Sequence, residues 1–150
     1  FKSSKIIGIH WRGTDITSAK YKNKNSKFYQ YRKKVNIKDF SKKIDPILRN
    51  NKKIKIFLST DEVDYVKQFK KLYGNNLIFT NSYRSESGNP VHLNNDYKRS
   101  LHRYKLGFEV LVDSLLLSEC DILICRKSNV TNAAILFNYK KKREIIELPY

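Results

Sequence analysis

Short apolar runs separated by amphipathic stretches constrain the fold of this chain most strongly. We predict strands in five short apolar runs, in which isoleucine and leucine predominate, at residues 5–9, 53–59, 77–80, 122–125 and 144–148. Between them, the helical spacing of apolar residues covers 36–49, the stretch from Asp61 to Gly74, 101–120 and 128–137. Strands that alternate with helices indicate an α/β fold, with a doubly wound, mostly parallel, Rossmann-like sheet and right-handed crossovers.

Local signals mark the ends of these helices. Asn36 is predicted to cap the first helix and Asp61 to cap the second, because their side chains can accept bonds from the first free N–H groups. Gly74 supplies a stop for the second helix, since glycine tolerates the left-handed conformation common there. The local sequence therefore supports the alternation.

The length of the chain fits one domain covering residues 1–150. A chain of 150 residues buries roughly two-thirds of its unfolded surface. No apolar run approaches the roughly 20 residues of a membrane span, and the first residues lack the apolar core of a signal peptide. We expect a soluble domain and assign it no compartment. The absence of methionine and the start just before the first strand indicate a piece of a longer polypeptide.

Two cysteines, Cys120 and Cys125, flank an apolar run. Cys125 should lie in a buried strand and Cys120 should end a helix, so both are interpreted as core thiols. Their spacing implies neither a disulfide framework nor a zinc site.

The formal net charge of +17 raises the possibility of a nucleic-acid partner. The lysines are scattered through every polar segment, however, which is typical of solvated faces in a chain biased toward lysine, asparagine and isoleucine. Two denser clusters, residues 20–34 and 140–143, are able to attract phosphates or an anionic surface. Aromatic residues interleave with the first cluster, a pattern compatible with base stacking or with a long loop pinned by aromatics.

Four turns that follow predicted strands are candidates for chemistry, because open α/β sheets bind ligands at the carboxyl ends of their strands. They are residues 10–15, 59–62, 81–99 and 126–131. The last turn places Ser128 at a helix start between cations and N–H groups, so it is either a phosphate cradle or an ordinary N-cap. Neither a Gly-x-Gly-x-x-Gly fingerprint nor a Walker loop is present.

The first of these turns contains His10, Arg12 and Asp15. A planar guanidinium can hold two phosphate oxygens and neutralise the charge that grows on a departing diphosphate. Taken singly, His10 has a structural interpretation, and Arg12 with Asp15 can equally be interpreted as a mutual salt bridge. Together at one strand end they predict a site.

Residues 10–15, His-Trp-Arg-Gly-Thr-Asp, resemble the His-x-Arg-x-x-Asp element of α1,6-fucosyltransferases, nodulation fucosyltransferases and protein O-fucosyltransferases. Three further segments follow in the order of that superfamily. Residues 56–62 resemble its strand ending in Thr-Asp-Asp, residues 110–121 its Leu-x-Asp helix, and residues 125–131 its Ser-Ser-Asn-type loop. The resemblance covers most of the chain.

The resemblance implies the C-terminal, Rossmann-like half of a GT-B glycosyltransferase that binds GDP-fucose and transfers fucose with inversion to a glycan or glycoconjugate acceptor. No metal or other cofactor is expected. By the same resemblance, Arg12 would hold the β-phosphate and His10 and Asp113 would lie near the guanosine. Ser128 and the N–H groups around Asn129 would contact the diphosphate, and the site would be organised by Asp15 and Asp61.

The sequence departs from the family pattern in ways that keep alternatives open. Gly13 stands where several relatives have a second arginine, and Arg126 and Lys127 are interpreted as compensating cations. Residues 16–38 contain no acidic side chain, so an acceptor would need another base, substrate assistance or a group from outside this domain. A catalytically inactive glycosyltransferase-like binding domain and a basic nucleic-acid-binding α/β module are the alternatives.

Overall fold

The computed structural model describes residues 5–13, 35–51, 53–86, 89–91 and 99–148. The strands are β1 (Ile6–Trp11), β2 (Lys55–Thr60), β3 (Leu77–Ile78), β4 (Ile122–Cys125) and β5 (Glu144–Glu147). The helices are α1 (Ile37–Asn50), α2 (Val63–Tyr73), α3 (His102–Ser118) and α4 (Asn129–Phe137), with a short 3₁₀ turn at Gly74–Asn76. No helix among these residues is long and apolar enough to cross a membrane.

The five strands form one parallel sheet in the order β3-β2-β1-β4-β5. The chain moves outward from β1 to β3, then crosses back to place β4 on the other side of β1. This reversal puts the topological switch point, where open α/β sheets bind ligands, at the carboxyl ends of β1 and β4. The predicted doubly wound, Rossmann-like α/β fold is confirmed.

The pleat of the central strand β1 separates its side chains between two cores. Ile7 and Ile9 face α1 and α2, whereas Ile6 faces α3 and α4, because successive side chains point to opposite faces of a strand. The neighbouring strands repeat the pattern with Ile56 and Phe57. The side chains at even-numbered positions of β1 therefore face the layer formed by α3 and α4.

Strand β1 runs two residues beyond its predicted end. His10 and Trp11 continue the ladder, opposite Ser59 and Thr60 of β2. The Trp11 ring is buried and stacks on Tyr65 of α2 with ring centroids 3.5 Å apart. This packing favours the longer strand. Strand β3 is shorter than predicted, ending at Ile78.

The predicted helix caps are correct in two cases and wrong in one. Asn36 caps α1 in a capping box with Asp39, and Gly74 ends α2 with a positive φ of 48°. Asp61 does not cap α2; the N-cap is Glu62, which makes no side-chain capping bond. The Asp61 carboxylate bonds instead to the segment after β1.

The two cysteines are free and buried, as the interpretation as core thiols predicted. Burial raises the pKa of Cys120 to about 12 and that of Cys125 to about 11. Cys120 also packs tightly under β1: a Cβ built on Gly8 would lie 2.8 Å from its Sγ and 2.8 Å from Leu123 Cδ2. The glycine therefore lets the end of α3 approach the central strand.

We predict that Gly8→Ala destabilises the domain by about 1 to 3 kcal/mol, because the added methyl group must displace buried neighbours. Urea unfolding measures the change in the free energy of unfolding. The matched control is Gly107→Ala, since a Cβ there would meet no atom of the described residues within 4 Å. Equal stability of Gly8→Ala and the wild type would contradict the packing described here.

Candidate functional site

The carboxyl ends of β1 and β2 open into a cavity of about 600 Å³. His10 and Arg12 lie on the side of β1 that faces the α3 and α4 layer. Ser59 and Asp61 lie on the same side of β2 and of the turn that follows it. One face of α3 forms the opposite wall. The lining side chains are His10, Arg12, Ser59, Thr60, Asp61, Ser82, Tyr83, Val91, Arg103, Leu106, Gly107, Glu109, Val110, Asp113 and Val130.

Asp61 fixes the turn that follows β1. Its Oδ1 accepts a hydrogen bond from the Gly13 backbone N–H at 2.9 Å, and its Oδ2 lies 4.0 Å from Arg12 Nε. The Arg12 side chain keeps 46% of its surface exposed, whereas Asp61 keeps 18%. The Asp61 carboxylate therefore lies beside the Arg12 guanidinium, while nearly half of the Arg12 side-chain surface stays exposed.

Gly13 is required by this geometry. A Cβ at Gly13 would lie 2.4 Å from a ring carbon of Tyr65, whose ring stacks on Trp11, and 2.3 Å from an oxygen of Glu62. A second arginine at this position would therefore need the aromatic pair to move. The local packing therefore leaves no room for the second arginine that the resemblance leads one to expect.

His10 is a buried, neutral imidazole. Burial lowers its pKa to about 4, an effect that Asp61 opposes and Arg12 reinforces. Its Nδ1 lies 3.2 Å from Ser128 Oγ, which links β1 to the loop after β4. At neutral pH the ring therefore offers one N–H donor and one nitrogen acceptor without adding charge to the cavity.

Ser128 is the N-cap of α4, which is one of the two interpretations that its sequence context left open. Its Oγ accepts the Thr131 backbone N–H at 3.1 Å, and the Thr131 hydroxyl accepts the Ser128 N–H at 2.9 Å. The earlier N–H groups of the helix, at Asn129 and Val130, have no partner within an α-helix. Val130 of this segment lines the cavity. Ser128 contacts His10, which is a cavity residue, and Asn129 lies between Ser128 and Val130 in the chain.

Asp113 is buried on α3 and faces the cavity. Its Oδ1 accepts a hydrogen bond from the Thr80 hydroxyl at 2.7 Å, and the Ser59 hydroxyl is a second donor. The pKa of Asp113 is raised overall, because burial raises it by more than these two hydrogen bonds and the nearby Arg84 lower it. The carboxyl group thus joins α3 to the ends of β2 and β3 and retains acceptor positions for a ligand.

Glu109 is a cavity residue that sequence reasoning missed. It stands one turn before Asp113, accepts the Tyr83 backbone N–H at 3.2 Å, and forms a salt bridge with Arg99. The two carboxyl groups together hold the segment after β3 against α3. A pair of acids four residues apart on a largely apolar helix is the sequence signal that marks this contact.

The remaining sequence-predicted features have mixed outcomes. Asp15 and the basic cluster at 20–34 lie outside the described residues. Arg126 and Lys127 do not line the cavity, and the Lys127 ammonium lies 3.7 Å from Glu147. The structure therefore does not place them where they would compensate for the glycine in the first motif. Across the described ranges, no group of three or more His, Cys, Asp or Glu side chains is arranged to hold a metal ion.

We predict that the burial of His10 makes folding stability depend on pH between about 4 and 6.5. The unfolded chain binds the imidazole proton below about pH 6.5, but the folded domain binds it only below about pH 4. Stability should therefore fall as pH decreases through this window, by up to about 3 kcal/mol from this group.

The measurement is urea unfolding of the wild type and His10→Asn across the window. The variant should lose the pH dependence that His10 contributes while keeping that of the carboxyl groups. The difference in the free energy of unfolding between the two proteins should therefore narrow toward low pH. Parallel curves would show that His10 is not held neutral by burial.

Comparison with known proteins identifies the fold. No protein-family model matches the chain, and no curated protein is significantly similar to it in sequence. Among solved structures, the crystal structure of NodZ α-1,6-fucosyltransferase co-crystallized with GDP matches 91% of this chain with a TM-score of 0.51 and 20% sequence identity. The chain spans 36% of the length of that protein. Together with the parallel sheet, this match shows that the chain has a fucosyltransferase-like fold.

Proposed function

We propose that this domain binds GDP-fucose and supports the transfer of fucose, with inversion, to a glycan or glycoconjugate acceptor. The observation that carries the proposal is the convergence of Arg12, His10, Asp61 and Asp113 on one cavity at the carboxyl edge of the sheet. The structural neighbour, a fucosyltransferase co-crystallized with GDP, supports this choice of ligand.

The diphosphate is assigned to the β1 end of the cavity. Arg12 supplies a half-exposed side chain paired with Asp61, and the nearby start of α4 supplies N–H groups in the orientation that favours anions. When the bond between the sugar carbon and the β-phosphate oxygen breaks, negative charge grows on GDP. Arg12 would stabilise that charge, with Ser128 and Asn129 as further contacts.

The guanine is assigned to the α3 side of the cavity. Asp113 offers an acceptor suited to the N1–H and N2–H₂ donors of guanine, and neutral His10 adds a hydrogen-bonding group without charge. An adenine ring does not present this pair of donors, whereas a guanine ring does. Selectivity for guanine nucleotides follows from this arrangement.

The catalytic roles follow the same geometry. Arg12 acts on the leaving group and Asp61 organises the turn after β1, while Asp15, which lies outside the described residues, takes an organising role from the family resemblance alone. Asp61 fills this organising role through its bond to the Gly13 N–H.

No divalent cation is assigned a role, so EDTA should leave GDP affinity unchanged.

We predict that GDP binds more tightly than ADP, UDP or GMP, and that Arg12→Ala lowers GDP affinity at least about tenfold, because charge-assisted contacts to the diphosphate are lost. Calorimetric titration at two salt concentrations measures both effects. The matched control is Lys127→Ala, which removes one positive charge outside the cavity. It should leave GDP affinity unchanged at the higher salt.

Equal and strongly salt-dependent binding of all four nucleotides, indifferent to Arg12, would contradict the donor site and favour the polyanion-binding alternative. Selective GDP binding without consumption of GDP-fucose by the full-length protein would instead identify an inactive glycosyltransferase-like binding domain.

A further inference from the structure

Gly107 lies in the interior of α3, where glycine destabilises a helix relative to alanine. The other glycines in the described ranges have structural reasons. Gly8 and Gly13 allow close contacts, and Gly74 adopts a positive φ. At Gly107 a Cβ would meet no atom of the described residues within 4 Å, and the backbone is helical. Nothing in the packing among the described residues requires glycine there.

The open space at Gly107 belongs to the cavity. The cavity wall on α3 is one face of the helix, made by Arg103, Leu106, Gly107, Glu109, Val110 and Asp113. The missing side chain therefore forms a recess in that wall, and the cavity residues one helical turn away from it are Arg103 and Val110. The helix backbone is the floor of this recess.

The chemistry of the recess selects a planar, weakly polar group. The proposed function assigns the diphosphate to Arg12 at the β1 end, so the recess falls to the base or to a sugar, and a sugar carries hydroxyl groups on all sides. Beside the recess, Val110 is apolar and the planar guanidinium of Arg103 can stack on an aromatic face. A nucleobase has apolar faces and a polar edge, so its face suits the recess while its edge reaches Asp113.

We propose that Gly107 is a specificity-determining residue that makes room for the face of the purine base of a nucleoside diphosphate against α3. This inference rests on the proposed function, since it assigns a part of the same ligand to a part of the same cavity. Alanine at this position would be compatible with the helix but would occupy the space that the base needs.

The test uses Gly107→Ala with GDP and inorganic pyrophosphate, a diphosphate without a base, as probes. GDP affinity should fall by about tenfold or more, because the base loses its close contact with the helix. Pyrophosphate affinity should stay within about twofold of the wild type, and the unfolding midpoint in urea should rise because alanine favours the helix. The matched control, Phe108→Ala, changes a 56% exposed side chain outside the cavity and should leave both affinities unchanged.

The other outcomes separate the two proposals. Unchanged GDP affinity in Gly107→Ala, with normal binding by the wild type, would overturn this inference alone. Equal losses for GDP and pyrophosphate would also overturn it, because the glycine would then act on the whole site. A lowered unfolding midpoint would also overturn it, because the glycine would then have a structural role in the helix. Absence of GDP binding by the wild type would overturn the proposed function and this inference together.

Discussion

The pleat of the central strand is the constraint on which the rest of the structure depends. β1 is covered on both faces, so its alternate side chains must serve two different layers. Ile7 and Ile9 complete the core against α1 and α2. On the other face, Gly8 admits the end of α3, and the next two positions of that parity are His10 and Arg12. One strand thus joins the core to the cavity without a change of register.

The polar groups of the cavity are positioned by bonds within the domain. Asp61 holds the turn after β1, Asp113 and Glu109 hold the segment after β3, and Ser128 contacts His10 from the start of α4. Each bond joins elements that are distant in sequence, so the cavity has a defined shape before a ligand arrives. Such preorganisation lowers the cost of ordering the site on binding and strengthens charge stabilisation.

Features that depend on local sequence were predictable. The alternation of strands and helices, the bounds of β4, the caps at Asn36 and Ser128 and the stop at Gly74 all follow from signals within a few residues. The cap predicted at Asp61 failed because its carboxylate bonds to Gly13, 48 residues away. No pattern near Asp61 distinguishes the local bond from the distant one.

The candidate site shows the same division. Turns after strands, and Asp113 on its apolar helix, were visible as unusual polar positions, whereas the partners Thr80 and Ser59 and the role of Glu109 depend on tertiary contacts. Gly107 is a further case, because a helix-interior glycine gains meaning only when the space beside it is known to belong to a cavity.

The most direct measurement is a crystal structure of the domain with GDP. We expect the diphosphate within hydrogen-bonding distance of Arg12 at the carboxyl end of β1, and the guanine against α3 beside Gly107 with its polar edge toward Asp113. GDP bound outside this cavity, or bound with its diphosphate at α3 and its base at Arg12, would contradict a nucleotide-sugar donor site of the kind proposed.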